Sequence, residues 1–279
     1  MTRITDHMDE DESSDRQFVS ALARGLDILG CFRASDRYLS NHEIAARTGL
    51  AKPTVSRLTY TLTRTGHLRR DASSGEYRLG AQVLQLGFSA LAATDLSDRA
   101  GPDMDRLANG PNPYVTIALA ERSRNRAIYL AVKRSQQAVA LSLNVGARLP
   151  LFYSAIGRAI IASMDEAGRE EALAEAIAEF PEQRERMEHS LRKLLQDYEN
   201  YGYCTGFGDW RAEITGIAAP LRSLDGTSVY GLNVGGPSFL VTPEELHRDY
   251  GPALLEAVDR LGGTGSATGD VIHAPARRR

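Results

Sequence analysis

The residues best suited to contact another molecule lie in one run, LAKPTVSRLTYTLTRTGHL, from Leu50 to Leu68. Lys52, Thr54, Ser56 and Arg57 fall in the first turns of a helix whose apolar positions, Val55, Leu58 and Leu62, would face a core. Pro53 fits the first turn, where a missing N–H costs nothing. The outward side is short, hydroxyl-rich, basic and free of acids. Such a face suits a nucleic-acid groove, because amines and hydroxyls meet phosphate and an arginine can pair with guanine. Arg57 is the expected base reader, Thr54 a contact to a thymine methyl and Lys52 a phosphate ligand. Ser40 and His42, at the start of the preceding helix, and Arg69 and Arg70, after the run, complete the expected contacts to DNA.

The surrounding pattern supplies elements that could hold this face. FVSALARGLDILGCF reads as a helix with Ser20 as N-cap and Leu22, Leu26, Ile28, Leu29 and Phe32 inward. Ser40 with Glu43 forms a capping box ahead of NHEIAARTG, and Gly49 ends that helix. After the opening run, two alternating segments, 67–70 and 76–79, flank the turn-forming DASSG and predict a hairpin. Helix, helix, turn, helix and hairpin is the order of a winged helix-turn-helix. GAQVLQLGFSALAAT then reads as an apolar linker helix, with Val83, Leu84, Leu86, Phe88 and Leu91 available to a partner.

Charge supports the same division. The chain has 279 residues and a formal net charge of −3. Residues 1–15 hold one Arg against six acids, whereas 16–80 hold eleven Lys and Arg against five acids. A basic module on a mildly acidic body points to an anionic partner for one part of the chain. No apolar run reaches the ~18–20 residues that span a bilayer, so no membrane partner is expected. The cysteines Cys31 and Cys204 stand far apart, as structural thiols of a cytoplasmic protein would. No nucleophile elbow, nucleotide loop or metal-ligand spacing is present, so neither catalytic residues nor metal nor cofactor is expected. EHS, at 188–190, falls in what reads as an exposed charged helix.

Beyond residue 95 the pattern changes. A helix over 95–110 precedes three alternating segments, PYVTIALAER, RAIYLAVKR and QAVALSLNVG. Ser154 caps SAIGRAIIASM, two charged amphipathic helices follow, and TGIAAPLRS and SVYGLNVGG read as further strands. Thr242 and Pro243 open a last helix. The expected fold is α+β, around a mostly antiparallel sheet.

ARGLDILGCF, LSNHEIAARTGLAKPTVSRLTYTLTRTGHL and YRLGAQVLQLG resemble the DNA-binding half of the IclR family of bacterial transcription regulators. GARLPLFYSAIGRAIIA, GIAAPLR and LNVGGP resemble its effector-binding half. The resemblance covers about residues 17–262. It implies a winged helix-turn-helix domain (16–80) after a disordered acidic leader (1–15), a dimerising linker helix (81–94), a GAF-like α+β effector domain (95–264) and a flexible tail (265–279). It further implies a homodimer or dimer of dimers on near-palindromic double-stranded operator DNA, with a small organic acid as effector and repression as the expected outcome. The alternative is a GAF-like binding or enzymatic domain with a degenerate DNA module.

The resemblance puts the effector over the sheet. The N–H groups of Ala155 and Ile156 open a helix and favour a carboxylate. The floor positions carry over as Gly206, Gly216, Asn233 and Gly235, where relatives that bind small polar acids have a carboxylate, a thiol and hydroxyls. Glycines at three of these four places are expected to enlarge the pocket toward an aromatic acid. Phe152, Tyr153, Tyr203, Phe207 and Trp210 are the expected aromatic surround, with Asp209 and Arg211 at the polar ends of the ligand.

Overall fold

The computed structural model describes residues 17–33, 35–92, 95–137, 141–223 and 228–262. The acidic leader 1–15, the tail 265–279 and part of the third expected strand, 138–140, lie outside them. The chain forms two compact units, dividing after residue 93.

The first unit runs α1 (Ser20–Gly30), α2 (Asn41–Thr48), α3 (Lys52–Arg64), β1 (Leu68–Arg70), β2 (Tyr77–Leu79) and α4 (Ala81–Ala92). Its core is Ile28, Leu39, Ile44, Val55, Leu68 and Tyr77, with Leu29, Phe32, Leu58 and Leu62 packed against it. The capping box forms: the Ser40 hydroxyl accepts from the Glu43 N–H, and the Glu43 carboxylate accepts from the Ser40 N–H. Gly49, at φ 73°, closes α2 in the left-handed region that side chains resist. Arg47 ion-pairs with Asp36 and donates to the Cys31 carbonyl, tying α2 to the segment after α1. That bond holds the Asp36 carboxyl below its usual range.

Two features of α1 differ from the sequence expectation. Ser20 is the first helical residue rather than the cap, and the N-cap, Val19, makes no side-chain bond. Leu22 and Leu26 stand 62% and 58% exposed, because α1 buries only the stripe through Gly25 and Ile28. Conversely, Thr59 on α3 is fully buried; its hydroxyl donates to the Val55 carbonyl at 2.9 Å, so burial leaves no polar group unpaired.

The second unit is a six-stranded antiparallel sheet in the order β5-β4-β3-β8-β7-β6. The strands are β3 (Thr116–Ser123), β4 (Arg126–Lys133), β5 (Arg148–Pro150), β6 (Cys204–Phe207), β7 (Ile214–Arg222) and β8 (Val229–Pro237). Side chains alternate with period two. Ile117, Leu119, Ile217, Leu232 and Val234 face one core, which includes Met104 of α5 (Asp95–Ala108) and Leu254 of α10 (Gly251–Gly262). Ala118, Ala120 and Ala218 face the other, under α6 (Ala155–Ala162), α7 (Glu166–Glu179) and α8 (Arg184–Tyr201).

The second face is built of small residues for a steric reason. A Cβ on Gly231 would lie 2.6 Å from Ile156 Cγ1, and one on Gly157 would lie 2.2 Å from the Leu151 carbonyl oxygen. Glycine and alanine therefore let α6 lie directly on the sheet, and all eight of its residues are buried.

The third expected strand, over 137–146, is not a strand in its described part, 141–146; only Arg148–Pro150 pairs, with β4. β6 was not expected, because four residues ending in glycine and phenylalanine carry little alternation. It forms because Asp197 of α8 accepts from the Thr205 N–H and hydroxyl while β7 pairs its other edge. The last helix is interrupted: a capped turn, α9 (Pro243–Glu245), leads through a π-helical stretch, Leu246–Tyr250, into α10. Cys31 and Cys204 are buried free thiols, and burial pushes the Cys31 thiol up to about 11.

Gly157→Ala is expected to cost at least ~2 kcal/mol in urea unfolding, since its clash is with backbone. Gly25→Ala, with nothing within 4 Å of the added carbon, is expected to stabilise by ~0.5–1 kcal/mol on helix propensity alone. Equal effects would contradict the close approach of α6 to the Leu151 backbone in the turn before it.

Candidate functional site

In the first unit, the N-terminal half of α3 presents Lys52, Pro53, Ser56 and Arg57 exposed, with Thr54 half-buried. The N-cap, Ala51, makes no side-chain bond and the first turn holds no acid. Free N–H groups and the helix dipole therefore point at whatever meets this end, an arrangement that favours phosphate. Ser56 also accepts from Asn41 Nδ2 at 3.3 Å, fixing α3 against α2. The later hydroxyls do not face outward as donors: those of Thr61, Thr63 and Thr65 return to carbonyls of their own helix at 2.7–3.2 Å. Tyr60, 65% exposed on the same helix, was not among the residues expected to contact DNA.

The other expected DNA residues divide. His42 is exposed at the start of α2, whereas the Ser40 hydroxyl is occupied by the capping box. On the hairpin, Arg70 donates to the Gly75 carbonyl and lies over the Tyr77 ring, so it holds the wing together. Arg69 stands exposed and directly opposite Arg78. Like charges facing across a strand pair repel, and a phosphate between them removes that cost. Arg78 was missed because its partner is set by the hairpin register, not by its neighbours in sequence.

In the second unit, Gly206, Gly216, Asn233 and Gly235 come together around one cavity, with Tyr153, Ala155 and Trp210 above them. Tyr129 and Leu149, which the sequence did not single out, complete the wall. The cavity holds about 30 Å³, room for one or two waters. The expected enlargement by glycine does not occur. A Cβ on Gly206 would lie 2.8 Å from the Ala155 nitrogen, and one on Gly235 would lie 2.7 Å from the Thr215 carbonyl oxygen. The missing side chains are replaced by closer backbone, not by space.

The cavity is nevertheless polar at set points. Ser154 caps α6 by accepting from the Gly157 N–H, and the Arg158 N–H pairs with the Ser154 carbonyl. The N–H groups of Ala155 and Ile156 have no partner among the described residues. The Tyr153 hydroxyl is buried without a partner, and burial raises its pKa. The Asn233 amide lies between Gly216 and Gly235 with no protein partner among the described residues. On the same face, opposite Gly235, the Thr116 hydroxyl is buried and unpaired.

Several expected ligand contacts are placed elsewhere. Phe207 and Tyr203 belong to the opposite core, where Phe207 meets the His247 ring edge-on and the Tyr203 hydroxyl lies 2.7 Å from His247 Nδ1. Ile156 is fully buried against Gly231 rather than lining the cavity. Asp209 is ion-paired at 2.7 Å with Arg158, a buried arginine that the sequence reading left unmarked. Arg158 also donates to the carbonyls of Phe152 and Thr205 and to the Ser190 hydroxyl. Ser190 is thus buried, not part of an exposed face as EHS suggested. Arg211 is exposed and stacks on Trp210 at 4.7 Å.

Comparison with known proteins accounts for both units. Residues 21–72 match the IclR helix-turn-helix domain, and residues 88–262 match the bacterial transcriptional regulator IclR C-terminal domain. The chain belongs to the IclR family. It is 30% identical over 255 residues to the HTH-type transcriptional regulator TsaQ1/TsaQ2 of Comamonas testosteroni, spanning 91% of each chain. An IclR-family regulator from Brucella abortus matches with TM-score 0.77 and 41% identity, over 88% of this chain and 92% of that one. An IclR homologue from Microbacterium hydrocarbonoxydans, solved with 4-hydroxybenzoate, matches with TM-score 0.66 and 25% identity, over 87% and 97%. This IclR-family chain is a DNA-binding transcriptional regulator rather than an enzyme. None of its described helices is long and apolar enough to cross a membrane.

Arg158→Ala would leave the Asp209 carboxylate and the Thr205 carbonyl unpaired, while the Phe152 carbonyl keeps the Ser190 hydroxyl. It is expected to cost ~3–5 kcal/mol in urea unfolding, against ~1 kcal/mol for Ser190→Ala. Near-equal losses would mean that Arg158 is not the centre of this network.

Proposed function

We propose that this regulator is a repressor whose grip on its operator is released by a small aromatic acid bound over the sheet. The observation that carries the reading is the cavity. Ala155 lines it at the start of α6 with its N–H free, an arrangement suited to a carboxylate. The Asn233 amide on the floor suits a phenol or carbonyl, and the Tyr153 hydroxyl is a second unpaired group beside it. The Microbacterium homologue bound to 4-hydroxybenzoate makes that acid the first ligand to test.

An aromatic ring cannot enter about 30 Å³, so binding requires Tyr153 and Trp210 to move. Closed and open forms then differ in affinity for the acid, which is the condition for a ligand to shift a population. Opening costs free energy, so the closed form prevails without ligand, and in this reading it is the form that holds the operator.

On DNA, α3 would enter the major groove, with Lys52, Pro53, Thr54, Ser56, Arg57 and Tyr60 toward the bases and adjoining phosphates. His42, Arg69 and Arg78 would take backbone phosphate, with Ser40 and Arg70 holding the elements that present them. The apolar outer side of α4, with Leu84, Leu86 and Phe88 exposed, supports a homodimer or dimer of dimers on a near-palindromic site. We place the DNA-binding domain at 16–80, the linker at 81–94 and the effector domain at 95–264.

Arg57→Ala is expected to cost ~1–3 kcal/mol of operator binding and to relax preference at one base pair. Arg78→Ala is expected to weaken all DNA about equally and to reduce the salt slope by ~0.9. Unchanged slopes in titrations at several salt concentrations would remove Arg78 from the interface. In a thermal-shift and gel-shift pair, 4-hydroxybenzoate at about 100 times its dissociation constant should add ~2.7 kcal/mol of stability and release operator. Asn233→Ala and Trp210→Ala should blunt both responses while sparing DNA binding. Tighter operator binding with ligand would reverse the sense of regulation, and a full response in Asn233→Ala would move the site.

A further inference from the structure

A second cleft lies on the other side of the wall made by Tyr153 and Trp210. Its volume is about 450 Å³, within the ~300–1,000 Å³ usual for small-molecule sites. Four arginines line it: Arg126, Arg148, Arg186 and Arg211. They come from four separate places, namely the first residue of β4, the first of β5, the first turn of α8 and the segment after β6.

Three of the four guanidinium groups are spread over aromatic rings. Arg186 lies 4.1 Å from the Tyr153 centroid, Arg211 4.7 Å from that of Trp210, and Arg126 5.3 Å from that of Phe180. Stacking occupies the face of a guanidinium and leaves its in-plane N–H donors available. Carboxylate neutralises little of this charge. Arg126 meets Glu179 only at 3.7 Å, and Arg186 donates to the Asp209 carbonyl. Asp209 itself is engaged by the buried Arg158. Arg148 has no hydrogen-bond or ion-pair partner among the described residues, and its charge adds to burial in lowering the pKa of Arg126.

One buried polar group also awaits a partner here. Asn125 lines the cleft at 7% exposure, and its amide nitrogen donates to Glu175 and Glu179. Its Oδ1 is therefore the acceptor left without a donor. Guanidinium forks call for at least two anionic groups, and an orphan carbonyl oxygen calls for a hydroxyl.

We propose that this arginine cleft is a second ligand site, taking a hydroxylated organic anion with two negative charges. Because Tyr153 and Trp210 wall both cavities, its occupant bears on the same two side chains that close the inner one. This coupling rests on the effector reading above; the site itself does not.

Trp210 is the single tryptophan of the chain, so its fluorescence reports on the wall. The full-length protein is titrated with tartrate, a hydroxylated dicarboxylate, with glycerol 3-phosphate, a hydroxylated phosphomonoester, and with lactate, a hydroxylated monoanion. Saturable binding of tartrate or glycerol 3-phosphate is expected, weakening with salt, with lactate at least about tenfold weaker. Which dianion binds tells carboxylate from phosphate. Arg148→Gln, at an exposed and unpartnered position, should weaken the dianion by about tenfold or more and leave 4-hydroxybenzoate unaffected, whereas Asn233→Ala should do the reverse. No saturable signal from either dianion, or equal affinity in Arg148→Gln, overturns the proposal. Loss of dianion binding in Asn233→Ala alone also overturns it, by moving the anion to the inner cavity. Loss of 4-hydroxybenzoate binding in Arg148→Gln instead overturns the effector reading.

Discussion

The effector half of this regulator depends on one buried guanidinium. Arg158 is 3% exposed and joins the turn before α6, α8, β6 and the loop carrying Asp209 through four hydrogen bonds of 2.7–3.0 Å. A buried charge is tolerated only when its donors are met, and here the donors are met by four segments distant in sequence. The same bonds hold Trp210, next to Asp209, over the cavity. The network is therefore both a cost of folding and the means by which the cavity wall is positioned.

A second constraint is steric. α6 lies so close to the sheet that Gly206 and Gly231 have Ala155 and Ile156 where a Cβ would be, while Gly157 is filled by the Leu151 backbone and Gly235 by that of Thr215. Close packing brings the α6 N-terminus over the cavity floor, where Ala155 lines the cavity with its N–H free. It also leaves the cavity too small for an aromatic acid without movement. In the proposed reading, the tight packing that specifies the fold also supplies the two forms that regulation needs, since packed interfaces tend to switch between arrangements rather than deform continuously.

Much of the first unit was legible in the sequence, because its signals are local. The Ser40–Glu43 capping box, Gly49 and Pro53 act within one turn of where they stand, and the hairpin turn forms at DASSG, where Ser73 and Ser74 hydrogen bonds hold the Asp71 carboxyl down at about 2. Leu22 and Leu26 misled, because helical periodicity marks apolar stripes without saying which stripe meets a core. Arg78 was silent for the opposite reason: its meaning comes from lying across from Arg69. In the second unit the inner-cavity floor was traceable through the family pattern at Gly206, Gly216, Asn233 and Gly235. Phe207 and Tyr203 were assigned to the wrong face, because an aromatic residue on an unrecognised strand gives no parity to count from.

The amino-acid sequence by itself determined the class of the protein: a basic helix-turn-helix module, an acid-free reading helix and an α+β partner. Propensity, capping and charge act between residues near in sequence, and they suffice for that. Only the tertiary structure decided which groups share a cavity, that three glycines bring backbone together instead of opening space, and that Asp209 answers Arg158 rather than a ligand. It also gathered four arginines from separate elements around one cleft. Each of these is a distance between residues tens of positions apart, and such distances are set by how the sheet and helices pack, not by any local pattern.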